Sequence, residues 1–399
     1  MRYLLLDSRI VEDARNAELT LGTIEKHGAN PLFGEDRAWE QRFDNLYANV
    51  LYDDEEEIYK CWYSPFVVDQ SSRGMTLGQR RQLKYRPPRN REMAICYATS
   101  KDGLAWDKPE LGIVEYDGSK ANNIVRGGGD QARQGGPHGS GILKDPRERD
   151  PNRRYKALFK SEVISVAFSA DGVHWGPTIP RAQADSSGDT HNNAFWAPTL
   201  ERYVAITRQW GKPFGRQVAR TSSADFVDWE EPRIVLQGLD ENEQTYAMPV
   251  FFHGGVYMGL VAVHDQDADR VWGELAWSPD TENWHRILPG TPLIPMAWRR
   301  ATMTGVAYSR RRARSSWRTR FGCTTAAATG STRVGETASS VWPRCVPTAS
   351  PGTRLRTSRR RRWSRQRLFA TRSSRSECLR MSLKEARSSC VSSVKAGGC

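Results

Sequence analysis

Cysteine is scarce where a disulfide-stapled fold would need it. Of seven cysteines in 399 residues, only Cys61 and Cys96 precede residue 306. That leaves no disulfide framework and no zinc-ligand spacing in the main body. Long apolar runs are missing as well. No stretch approaches the roughly 18 apolar residues of a membrane span. Leu4-Leu5-Leu6 is stopped at once by Asp7, too short for a signal segment. The expected location is therefore cytoplasmic, with no membrane partner. Helical periodicity is lacking too. In the tail the missing element is acid: residues 306–399 hold 22 Lys/Arg and three Glu, with no Asp, for +19. Residues 1–305 hold 37 Lys/Arg against 43 Asp/Glu, for −6. The basic excess belongs to the tail, so a phosphate-binding face is not a property of the body and no nucleic-acid partner is expected.

What the body has is strands and a repeat. Short β-branched and aromatic runs are broken by Gly, Pro, Asp and Asn, at lengths that suit strands. Ser100-Lys-Asp-Gly-Leu-Ala-Trp106 recurs as Ser169-Ala-Asp-Gly-Val-His-Trp175. Looser copies are Ser223-Ala-Asp-Phe-Val-Asp-Trp229 and Ser278-Pro-Asp-Thr-Glu-Asn-Trp284. The Trp-to-Trp spacings are 69, 54 and 55 residues. Asp followed by a turn former makes a tight hairpin, and the Trp packs back over it. Four strands per repeat at this period predict a β-propeller; unrelated Asp-turns in a β-sandwich are the alternative.

The unit can be followed in each repeat. Blade one is predicted from 46–52, 58–63 and 93–100, with a polar insertion at 67–91. Blade two is predicted from 140–144, 155–160 and 164–169. Blade three takes 194–198, 203–208 and 216–222, and blade four 246–252, 256–263 and 273–278. The predicted class is all-β, a five-bladed β-propeller with four recognisable blades in residues 1–297.

After Pro295 the pattern stops. Residues 298–399 read as a basic, low-complexity and unstructured tail, and its composition suits a GC-rich gene read out of frame. The first two bases of a codon are largely dictated by its residue. Moving the frame back by one base lets residues 301–308 become Gly-Asp-Tyr-Asp-Trp-Gly-Cys-Val. Residues 321–332 then permit Val-Arg-Leu-His-Tyr-Gly-Gly-Ser-Asp-Gly-Leu-His, with another Ser-Asp-Gly turn. The fifth blade is expected to be lost to this out-of-frame C-terminus. A disordered basic tail, with Arg359–Arg362 open to nucleic acid or a membrane surface, is the alternative.

The Ser-x-Asp-Gly-x-x-Trp repeat, with about 55 residues per unit, resembles the five-bladed β-propeller glycoside hydrolases, the invertase-like and arabinanase-like enzymes. Phe43-Asp-Asn-Leu-Tyr-Ala-Asn-Val-Leu-Tyr52 with Ile58-Tyr-Lys-Cys-Trp-Tyr63 looks like their first blade. The likeness spans roughly residues 40–295. It is one of architecture and turn pattern, and the invertase-type Asn-Asp-Pro-Asn is absent.

The resemblance implies a sugar or oligosaccharide substrate and a set of funnel carboxylates, each at the start of an inner strand. By position these are Asp44 (nucleophile or base), Asp189 (stabiliser) and Glu243 (general acid). Asn45, Tyr47, His138, His191, Asn192, Asn193, Gln244 and Tyr246 lie at equivalent rims, placed to bind hydroxyls or stack on a sugar. Bland alternatives stand beside them: turn roles for Asp44 and Asp189, and a solvated Glu243 with Glu241 as the acid. Trp62, Trp196 and Trp210 are equally core or sugar platform. Arg149-Asp150-Pro151 copies a clan motif but falls in a hairpin, where it reads as a decoy. The resemblance allows a structural calcium ion, yet no residue pattern asks for one, and no cofactor is expected. A non-catalytic carbohydrate-binding propeller or inactive pseudoenzyme is the alternative function.

Overall fold

The coordinates are those of a computed structural model. They describe residues 16–24, 27–32, 34–43, 45–69, 91–127, 137–268 and 270–294, a few single positions besides, and the backbone of short strands between 305 and 357. The chain forms two compact units. In one, Ala17–Thr20 pairs antiparallel with Arg354–Thr357. The other, Thr23–Thr348, contains every blade.

The fold is an all-β propeller with four blades in the expected places. Blade one runs outward through Asn49–Asp53, Ile58–Tyr63, Ile95–Ser100 and Ile124–Arg126. Blade two follows with His138–Lys144, Tyr155–Lys160, Ile164–Ser169 and Ile179–Pro180. Blade three is Asn193–Ala197, Arg202–Gly211, Gly215–Ser223 and Arg233–Leu236. Blade four has a broken inner strand: Glu243–Ala247 and Val250–His253 both pair with Val256–Asp265. Pro249, which has no N–H to donate, sits in the break. Arg270–Ser278 and His285–Ile287 complete it. The short outer strands carry too little apolar pattern to stand out in the sequence. Beyond them, Gly305–Arg310, Phe321–Ala328, Ala338–Val341 and Arg344–Cys345 pair as a further sheet, whose side chains lie outside the described residues. The polar insertion opens as a hairpin of Phe66–Asp69 with Arg91–Met93.

One core cluster sits on blade one itself, around Val50, Cys61, Cys96 and Ile124, and three others lie between blades. Trp62 and Tyr97 of blade one pack with Tyr155 and Phe159 of blade two. Leu158 and Ile164 pack with Tyr203 and Phe226, and Val204 and Ile206 with Tyr257 and Val261. Strands covered on both faces become almost continuously buried, as in Tyr155–Lys160.

Two repeated devices hold the arrangement. The first is the Asp-turn. Asp171 Oδ1 accepts from the backbone of Val173 and His174, and Ser169 Oγ receives Gly172 N–H. Trp175 then donates its indole N–H to the Gly172 carbonyl at 3.0 Å. The fourth residue of the motif is left-handed in every copy: φ is +75° at Gly103, +82° at Gly172, +66° at Phe226 and +70° at Thr281. A Cβ on Gly172 would meet Trp62 at 2.6 Å, so glycine is required there by packing as well as conformation. The second device is a tyrosine latch between blades. Tyr155 donates to Asp53 at 2.9 Å, Tyr203 reaches Asp145, and Tyr257 meets Thr199 Oγ1 at 2.6 Å. Each latch joins the second strand of one blade to the end of the preceding blade's inner strand or the turn just after it.

Near the axis the backbones crowd. A Cβ on Gly139 would lie 1.5 Å from the Thr190 carbonyl, and one on Gly141 1.9 Å from that of Asn192. Only glycine lets blade two's inner strand approach the segment leading into blade three so closely.

Candidate functional site

Residues that open the inner strands meet at the mouth of this crowded axis. Asp189 follows Gly188, which is left-handed at φ +51°. That turn sends the Asp189 side chain out of the packed segment, 56 % exposed, between neighbours from two blades. His138 Nε2, at the start of blade two, lies 2.5 Å from Asp189 Oδ1. Arg208 Nη2, on blade three's second strand, lies 3.2 Å from Oδ2. Burial by itself would raise the Asp189 pKa. The His138 pair, and behind it the charges of Arg208 and Arg91, pull it well below the ordinary carboxylate range.

A polar and aromatic rim surrounds this pair. The Asn45 amide donates to the hydroxyls of Tyr47 at 3.3 Å and Tyr246 at 3.2 Å, joining residues 201 positions apart. The Tyr47 ring packs near both His138 and His191, with centroids 5.6 and 6.0 Å away. Arg208 and Arg216 sit 5.0 and 5.2 Å from the Tyr246 ring centre. Gln244 Oε1 accepts from Arg216 Nη1 at 2.6 Å. Trp210 is 54 % exposed and lies beside the Arg216 guanidinium. Asp44 lies outside the described residues.

Three of the expected rim residues spend their polar groups on the scaffold instead. Asn192 is fully buried; its amide donates to the Gly139 and Gly188 carbonyls at 3.0 Å, and its oxygen accepts from Thr207. Asn193 accepts from Val250 N–H, tying blade three to blade four. His191 is buried against Asn49, Nε2 to Oδ1 3.0 Å, and burial pushes its pKa down to about 4. An Asn or His beside an inner strand thus serves the axis as readily as a sugar, because buried backbone groups there must be satisfied.

Glu243 opens blade four's inner strand as expected, but it is not brought to Asp189 by any contact among the described residues. Its carboxylate pairs with Arg286, which also holds Glu274 Oε2 at 2.7 Å. The alternation of a strand explains this: Gln244 faces blade three and Arg216, so Glu243 faces the opposite side.

Residues outside the sequence-based set complete the site. Arg208, Arg216 and Arg91 were hidden by distance in the chain; Arg216 and Arg91 lie at strand starts, while Arg208 lies within one. Trp62 is core, fully buried and hydrogen-bonded to the Gly172 carbonyl; Trp196 is covered by Arg147. Asp150 caps the short turn Pro151–Arg153 in the blade-two hairpin, as its sequence position suggested. A calcium ion does not fit the described residues at Asp189: its nearest partners are a guanidinium and an imidazole, and neither offers the oxygen ligands calcium takes.

No protein-family model matches the sequence, and no curated protein matches it. Solved structures do. One is an N-acetylgalactosamine deacetylase from F. plautii in complex with blood group B trisaccharide, 14 % identical, with a TM-score of 0.52 over 82 % of this chain and 94 % of that one. Another is a glycosyl hydrolase from Bacteroides ovatus, 12 % identical, with a TM-score of 0.52 over 84 % of this chain and 97 % of that one. At these identities the likeness is one of fold, a β-propeller of the kind on which glycoside hydrolases are built.

Proposed function

We propose that this chain is a glycoside hydrolase-like protein that cleaves a glycosidic bond at the propeller mouth. One observation carries the reading: an exposed, ionised Asp189 is held by groups from two blades inside a rim of Asn45, Tyr47 and Tyr246, with exposed Trp210 beside it. Hydroxyl-binding amides and aromatic faces around a carboxylate are what sugar recognition requires. In this reading Asp189 stabilises the oxocarbenium-like state. Asp44, one residue before Asn45, is the nucleophile or base, and Glu243 is the acid by its place before the fourth inner strand.

The Glu243–Arg286 pair favours a second reading, a carbohydrate-binding propeller without turnover. Assays with a panel of aryl glycosides separate the two, using the chain and a version whose tail is read in the neighbouring frame. The enzyme reading expects hydrolysis that Asp44→Asn abolishes, with Glu243→Gln slowing poor leaving groups far more than good ones. Sugar binding without hydrolysis in either version would establish the second reading.

A further inference from the structure

The site carries more positive charge than Asp189 uses. The Arg208 side chain is 2 % exposed, and only its Nη2 meets a carboxylate. Its Nε and Nη1 have no hydrogen-bond partner among the described residues. Arg216 is half-buried on the neighbouring strand; its Nη1 reaches the neutral Gln244, and its Nε is unpartnered. Both guanidinium groups lie about the same Tyr246 ring, so they are neighbours of each other. Burial lowers the Arg216 pKa, and the Arg208 charge acts in the same direction. Arg91 adds a further positive charge felt by Asp189.

Burying a guanidinium with unmet N–H groups beside a second one is costly, and the cost is offset when an anion is bound between them. We propose that Arg208 and Arg216 form an anion subsite next to Asp189, and that its ligand is an oxyanion carried on a sugar ring, either a carboxylate or a sulfate ester. This rests on the sugar-binding part of the function proposed above and is independent of hydrolysis. The sugar, rather than a free ion, is the source because the Trp210 ring lies 4.7 Å from the Arg216 guanidinium and is 54 % exposed. An aromatic platform and a guanidinium side by side match a ring bearing a charged substituent.

The test is titration calorimetry on the full chain with D-glucose, D-glucuronate, glucose 6-sulfate and inorganic phosphate. At least one charged sugar should bind ten-fold or more tightly than glucose, and added salt should narrow that gap. Arg216→Gln, at a half-buried position, should reduce the preference at least five-fold, and Arg208→Gln should remove it. Arg216→Lys should restore part of it. Equal affinity for glucose and both charged sugars would overturn the proposal, as would preferences untouched by Arg216→Gln. Tight phosphate binding with no gain for either charged sugar would overturn the sugar-borne source. Hydrolysis is not read in this experiment, so its failure and the failure of the enzyme reading are told apart.

Discussion

His138 Nε2 and Asp189 Oδ1 are 2.5 Å apart, joining the first residue of blade two to the loop before blade three. The contact keeps the carboxylate ionised deep into acid, because its pKa lies well below the usual range. Asp189 therefore suits a stabilising role and cannot be a proton donor near neutrality. Asp189→Asn should lower kcat/KM by about 10²–10³ on any substrate found, as expected for loss of a charge that meets the transition state. The acid limb of the pH profile should stay where it is, since another group sets it. A limb that moves with this substitution would assign Asp189 a titrating role instead.

The left-handed turn position gives opposite expectations in two blades. Phe226 (φ +66°) is fully buried, its ring 5.2 Å from Tyr203 and 5.1 Å from Trp229. Phe226→Gly relieves about 1–2 kcal/mol of backbone strain but empties a core site worth about 3–5 kcal/mol. A net loss of about 2–3 kcal/mol is expected in urea unfolding. Thr281 (φ +70°), also fully buried, gives up a much smaller side chain and one hydrogen bond, from Arg220 Nε at 2.8 Å. Thr281→Gly should fall within about 1 kcal/mol of the parent. Equal losses at both positions would contradict this account of the motif.

Stability should fall with acid through His191. Its folded pKa of about 4 is below the ordinary 6.5, so the unfolded chain binds the extra proton first. Between these values stability drops as pH falls, by about 3 kcal/mol in total, and the full contribution is present above pH 6.5. Denaturation midpoints measured from pH 7 to 4 should follow that slope, and His191→Gln should flatten it. An unchanged slope in the variant would show that other groups govern acid unfolding.

For the tail, we propose an out-of-frame origin. Each of the four blades has an Asp-turn, while strands such as Gly305–Arg310 and Phe321–Ala328 carry neither acid nor an alternating apolar pattern. Resequencing the locus should reveal an inserted or deleted base near the codons for Pro295–Trp298. A clean read there would end the proposal. With the frame restored, the chain should gain several degrees in Tm, because a closed propeller has no open edge.

The sequence by itself determined what is local. An Asp-turn such as Ser169–Trp175 closes within seven residues, so four copies at nearly even spacing announced four blades, and the strands beside them followed from length and composition. The short outer strands, such as Ile179–Pro180, were not legible, because two residues carry no periodicity. The tertiary structure alone decided the site. Asn45 meets Tyr246 across 201 residues, and Arg208 reaches Asp189 from the middle of blade three's second strand. Position before an inner strand was readable for both Asp189 and Glu243. Which way each side chain pointed was not, since that depends on strand pairing and on the neighbouring blade. Ring packing turned Asp189 toward His138, and the pleat turned Glu243 toward Arg286.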